Sequence, residues 1–189
     1  MGRFLLGGLL GGAVFFAWTA VSWMVLPWHK DKMSSFEVEQ PVMRAVGQAM
    51  DGRAGVYFFP GRPDDRKDEA AMEAYRKRHL QGPVGFMFVK PGAEAMPPSM
   101  FAQAGAMDIV IALIATLLVR SAGFRAYWQR VIFVTALGLF AGIMTHGAYW
   151  NWMHFPLDYS LVMFADSIVT CLLMGLVIAA VVKAPARRV

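Results

Sequence analysis

The sequence predicts a polytopic α-helical membrane protein: four transmembrane helices, with a small extracytoplasmic α/β insertion between helices one and two. Three observations carry this. Of 189 residues, 57% are hydrophobic and only 16% are charged, against about 25% charged in an ordinary soluble domain. Long charge-free runs divide the chain, and basic residues stand at their ends. The net charge of +5 is not spread evenly, because residues 27–100 hold 11 Lys+Arg and 10 Asp+Glu and are nearly neutral. These features exclude a disordered tail and a nucleic-acid binder. One cysteine excludes a disulfide framework within the chain.

A bilayer-crossing helix needs about 20 mostly apolar residues. Residues 4–26 carry no charge and form the first span, within a transmembrane segment 1–26. Its length and its bulky Trp18 and Trp23 point to a retained anchor, since a cleaved signal has an apolar region of about 7–15 residues. The second span is read at 102–119, with Asp108 as its only acid. The third is read at 131–151 and the fourth at 157–182, which contains the single acid Asp166 besides Asp158 at its start.

Orientation follows from the basic residues. Arg3, then Arg120, Arg125 and Arg130, then the tail 183–189 with Lys183, Arg187 and Arg188 fall on one side after four crossings. Positive residues in short loops stay in the cytoplasm. Both termini are therefore expected inside, with residues 27–101 outside. Trp28, Trp150 and Trp152 are expected as anchors at the outer interface and Trp128 at the inner one. Gly7, Gly8, Gly11 and Gly12 in span one, and Gly138 and Gly142 in span three, have the small-xxx-small spacing of close helix packing.

The insertion reads helix, strand, helix, strand. Pro41 opens the first helix, and Val42, Ala45, Val46, Ala49 and Met50 recur at helical spacing. Gly55–Phe59 reads as a strand closed by Pro60-Gly61, residues 68–80 as a helix, and Val84–Val89 as a second strand closed by Pro91-Gly92. A crossover through the helix would pair the strands in parallel.

Asp166 is the sharpest chemical candidate. It lies about nine residues into span four, ~13 Å along the axis, where an ionisable side chain is costly and a functional hypothesis by default. Ser167 and Thr170 offer hydroxyls beside it, and His146 on span three is its expected partner. That pair is read either as a packing contact or as part of a proton relay. A weaker expectation gathers His29, His146 and His154 into an outer metal site, although their spacing matches no ligand motif. The sequence contains no Walker, GxSxG, HExxH or dinucleotide pattern, so no cofactor is expected.

Several segments also resemble a group of small four-helix bacterial inner-membrane proteins: LPWH at 26–29, GVYFFP at 55–60, GPVGFMFVKPG at 82–92 and NWMHFPLDYS at 151–160. The resemblance implies a bacterial inner-membrane location. It implies no activity and carries over no functional residues. Together these readings lead to an expected role as a non-catalytic accessory or assembly subunit of a larger envelope complex, with membrane lipid and other proteins as partners. A small proton-coupled transporter using Asp166 and His146 is the alternative. A metal- or lipid-handling protein is the third reading.

Overall fold

The computed structural model describes residues 1–182; the basic tail at 183–189 lies outside the described residues. Four helices in it are long and apolar enough to cross a membrane: Gly2–Met24, Pro98–Ala122, Tyr127–Trp152 and Leu157–Val181. The described residues divide into two compact units, one of 1–33, 95–148 and 157–182, the other of 34–94 with 149–156.

The first unit is a helical bundle. α1 runs Gly2–Met24 and is followed by a single 3-10 turn at Lys30–Lys32. α4 runs Pro98–Ala122 and begins ahead of the expected residue 102, because Pro98 occupies its first turn, where a missing N–H costs nothing. Asp108 does not interrupt it, since that side chain lies on the buried face with Ala112, Ala115 and Val119. Gly123 ends it at φ +66°, a left-handed conformation natural to glycine.

α5 runs Tyr127–Gly142, starting ahead of the expected residue 131. Gln129 reaches back to accept from the Ala126 N–H at 3.2 Å, which anchors the earlier start. Its continuation Ile143–Gly147 is π-helical, and α6 follows at Ala148–Trp152. α7 runs Leu157–Val181.

Glycines set the packing distances. A Cβ on Gly12 would lie 2.7 Å from the Ile109 Cα, and one on Gly138 would lie 2.6 Å from the Ser167 carbonyl oxygen. Gly8 faces Leu113, Gly7 faces Thr116 and Val182, Gly11 faces Ile178, and Gly142 faces Phe164. α1 thus packs closely on α4 and α7, and α5 on α7, each pair antiparallel. The core between them consists of Ala112, Ala115, Val119, Val134, Met174, Ile178 and Val182.

This arrangement gathers the start of α1, the α4–α5 turn and the end of α7 at one end of the bundle. Arg130, expected only as a flanking charge, is buried there. Its guanidinium donates to the carbonyls of Phe124 at 3.2 Å, Arg125 at 3.0 Å and Ala179 at 3.1 Å. A cation on the last turn of α7 also meets the negative end of that helix dipole. Tyr127 adds a bond from its hydroxyl to the Leu176 carbonyl at 3.0 Å.

The second unit contains α2 (Glu39–Met50), β1 (Gly55–Phe59), α3 (Glu69–Gln81) and β2 (Gly85–Val89). The order agrees with the expectation, but the strand pairing does not. β1 and β2 are antiparallel, with Gly55 opposite Val89 and Phe59 opposite Gly85. A parallel pair requires the connection to return to the starting end of β1. Here Gly85 lies opposite Phe59, so β2 begins beside the end of β1 instead. Asp68 caps α3 by accepting from the Ala71 N–H at 3.0 Å. Tyr75 is buried on α3 and Met50 on α2, while Ala45 and Ala49 are exposed.

Gly12→Ala is expected to lower thermal stability in detergent by about 1–3 kcal/mol, the usual cost of overpacking. Gly47→Ala, where a Cβ meets nothing within 4 Å, should leave the melting temperature unchanged or slightly raised.

Candidate functional site

The polar centre of the bundle is assembled from α1, the residues just after it, and α7. α7 supplies Asp166, 8% exposed. α1 supplies Trp18 and Ser22, four residues apart and therefore on one helix face. The chain then turns after Met24 and brings Trp28 and His29 back onto that face.

Asp166 Oδ1 accepts from the indole N–H of Trp18 at 2.7 Å and from the Ser22 hydroxyl at 2.9 Å. Its Oδ2 lies 3.3 Å from His29 Nε2. Ser22 Oγ is also 3.0 Å from His29 Nε2 and accepts from Trp28 Nε1 at 3.1 Å. Trp28 Nε1 also reaches the Ser22 carbonyl at 3.2 Å. Because the Ser22 proton goes to Asp166, the network assigns a proton to His29 Nε2, shared between Ser22 and Asp166.

Aromatic rings close the site. Trp23 stacks on His29 with centroids 4.1 Å apart and planes 3° from parallel. Trp28 meets His29 edge-on at 5.3 Å and Trp18 at 6.3 Å. His29 is 1% exposed and Ser22 is fully buried. Outside this ring, Lys32 pairs with Asp158 at 3.2 Å and ties the turn after α1 to the start of α7.

A serine, a histidine and an aspartate in mutual contact invite comparison with a hydrolytic triad, and the geometry rejects it. A triad uses the two ring nitrogens separately, one for the nucleophile and one for the acid. Here Ser22 and Asp166 meet the same nitrogen, Nε2. Nδ1 is buried with no hydrogen-bond partner among the described residues. Ser22 is also closed to any substrate. The arrangement serves to solvate a carboxylate inside an apolar bundle.

The residues expected from the sequence have different fates. Asp166 is central, and Thr170 donates from its hydroxyl to the Asp166 carbonyl at 2.7 Å. The Ser167 hydroxyl turns back onto the Met163 carbonyl at 2.9 Å. His146 lies on the π-helical segment that continues α5. Trp18, Ser22 and His29, on or just after α1, contact the carboxylate directly. His29, His146 and His154 are not brought into one metal-holding group: among the described residues no cluster of three or more His, Cys, Asp or Glu has that arrangement. His29 turns into the bundle, and His154 lies against His79 with ring centroids 5.6 Å apart. Trp28, expected as an interface anchor, spends its N–H on Ser22. Trp128, Trp150 and Trp152 are exposed.

Sequence reasoning missed Trp18, Ser22 and Trp23 as members of the site, and missed the burial of Asp108. The signal for Trp18 and Ser22 was their i,i+4 spacing on a span with no charge of its own. Asp108 has no ion-pair partner among the described residues.

No family model, no curated protein and no solved structure matches this chain.

Asp166→Ala is expected to destabilise the protein by about 3 kcal/mol, because it leaves several buried donors without an acceptor. Ser22→Ala alone should cost about 1–2 kcal/mol. In a thermal-unfolding double-mutant cycle the two losses should be clearly non-additive, since the groups share one network.

Proposed function

We propose that the protein is a non-catalytic accessory or assembly subunit of a larger complex in a bacterial inner membrane, with residues 27–101 outside the cytoplasm. The observation that carries this reading is the thin interior of the second unit. Between residues 34 and 94, Met50 and Tyr75 are the only apolar side chains that are buried. Large apolar groups stay uncovered, with Val56, Leu80 and Phe88 all more than half exposed. A two-stranded ribbon and two short helices with so small a core do not reach independent stability. Such a segment gains its stability from a partner that covers it.

The helical bundle supports the same reading. Its buried serine, histidine and acid lack the geometry of a nucleophilic centre, and the acid is held by donors that fix α1 against α7. The basic residues at the end carrying Arg3 and the α4–α5 turn favour a cytoplasmic position for that end.

Native mass spectrometry after extraction in mild detergent is expected to find the chain in a stoichiometric complex with other membrane proteins. A protein that runs alone under the same conditions would end this reading. Orientation is tested by cysteine labelling. In a Cys171→Ala background, Asp65→Cys should react with a membrane-impermeant maleimide in intact cells with an opened outer membrane. Arg125→Cys should react only after the inner membrane is broken.

A further inference from the structure

A cavity of about 310 Å³ opens within the bundle beside Asp166. It lies at the low end of the size range of small-molecule pockets. Phe15, Ile111 and Met163 give it apolar walls, Trp23 an aromatic one, and Cys171 also lines it. Its polar side consists of Asp166, Thr19, Ser167 and Thr170. The hydroxyls of Ser167 and Thr170 are turned back onto carbonyls of their own helix. The carboxylate is therefore the strongest acceptor on the wall.

That carboxylate has capacity left. Its Oδ1 takes two donors, whereas Oδ2 meets the His29 Nε2–H at 3.3 Å, a proton shared with Ser22. A carboxylate has about four acceptor sites. Neither lysine nor arginine pairs with Asp166 among the described residues. A carboxylate without a permanent cation, set in an apolar wall, is complementary to a ligand that brings its own positive donor.

We propose that this cavity binds a lipophilic primary amine, whose ammonium donates to Asp166 Oδ2 and whose hydrocarbon chain packs on Phe15, Ile111 and Met163. A fatty acid is disfavoured by repulsion from Asp166. A long-chain alcohol keeps one hydrogen bond but lacks the charge. The proposal is independent of the accessory-subunit reading, because it concerns the bundle alone and is tested on the purified chain.

The experiment uses the full-length protein in lipid nanodiscs and a hexadecylamine probe with a diazirine in its chain. Photolabelling should map to peptides containing Trp23, Ile111 or Met163. Unlabelled hexadecylamine should suppress it, whereas hexadecanol and palmitate should not. Bound amine should also slow the alkylation of Cys171, the one cysteine in the chain, by N-ethylmaleimide. Asp166→Asn should reduce labelling roughly tenfold, as expected for loss of a charge-assisted bond. Ala141→Phe, which places a ring in the cavity wall and keeps the acid, should reduce it as strongly. If Asp166→Asn fails to fold, Ala141→Phe and the competition series decide. Equal labelling by an alcohol probe, insensitivity to Ala141→Phe, or labelling spread evenly over lipid-facing peptides would mean annular lipid only and overturn the proposal.

Discussion

A carboxylate at the depth of Asp166 has to be solvated by the protein, and much of the bundle follows from how that is done. The donors are an indole, a hydroxyl and an imidazole, all neutral-residue chemistry compatible with an apolar span. They sit on or just after α1, while the acceptor sits on α7. Satisfying the acid therefore fixes the rotation and height of one helix against the other. The cost of a buried charge is offset by making the contact specific: a rotation of α1 by one residue would aim Trp18 and Ser22 away from the oxygen they share. Polar contacts between membrane helices are modest individually, often near 1 kcal/mol. Their contribution here is to select one packing among many that are similarly apolar.

Glycine allows that selection to be reached. Between lipid-soluble helices there is little hydrophobic gain on association, so contact has to come from close fit. Gly8 and Gly12 let α1 approach α4, while Gly7 and Gly11, interleaved with them, face both α4 and the C-terminal end of α7. Gly138 and Gly142 do the same for α5 against α7. The polar cluster and Arg130 then stand at opposite ends of this closely packed middle. Arg130 reaches three carbonyls with one fork, which a lysine ammonium does not do in that geometry.

The apolar architecture was legible in the sequence because length and charge spacing encode it directly. All four spans lie where charge-free runs place them, and the differences at Pro98 and Tyr127 come from local capping that a hydropathy window averages away. The insertion's elements were legible from turn residues and periodicity. The direction of the strand pair was not, because a helical connection of this length permits either sense. The acid at Asp166 was legible as an anomaly, whereas its partners were not. The i,i+4 spacing of Trp18 and Ser22 puts them on one helix face, but nothing in the sequence says that this face meets α7. His29 looked surface-bound because it follows a span, and only the chain reversal after Met24 returns it to the interior.

The sequence distance across the Asp166 cluster bears on how the chain is made. Trp18 and Ser22 are separated from Asp166 by 148 and 144 positions. During synthesis α1 enters the bilayer while α7 is still unbuilt, so its indole and hydroxyl wait without their acceptor. α4 arrives earlier and meets the glycine face of α1, which needs no polar partner. Biogenesis thus has a built-in order, with a dry helix pair formed first and its polar contacts completed only when α7 is delivered. The ribosome must add 144 positions beyond Ser22 before that hydroxyl meets its acceptor.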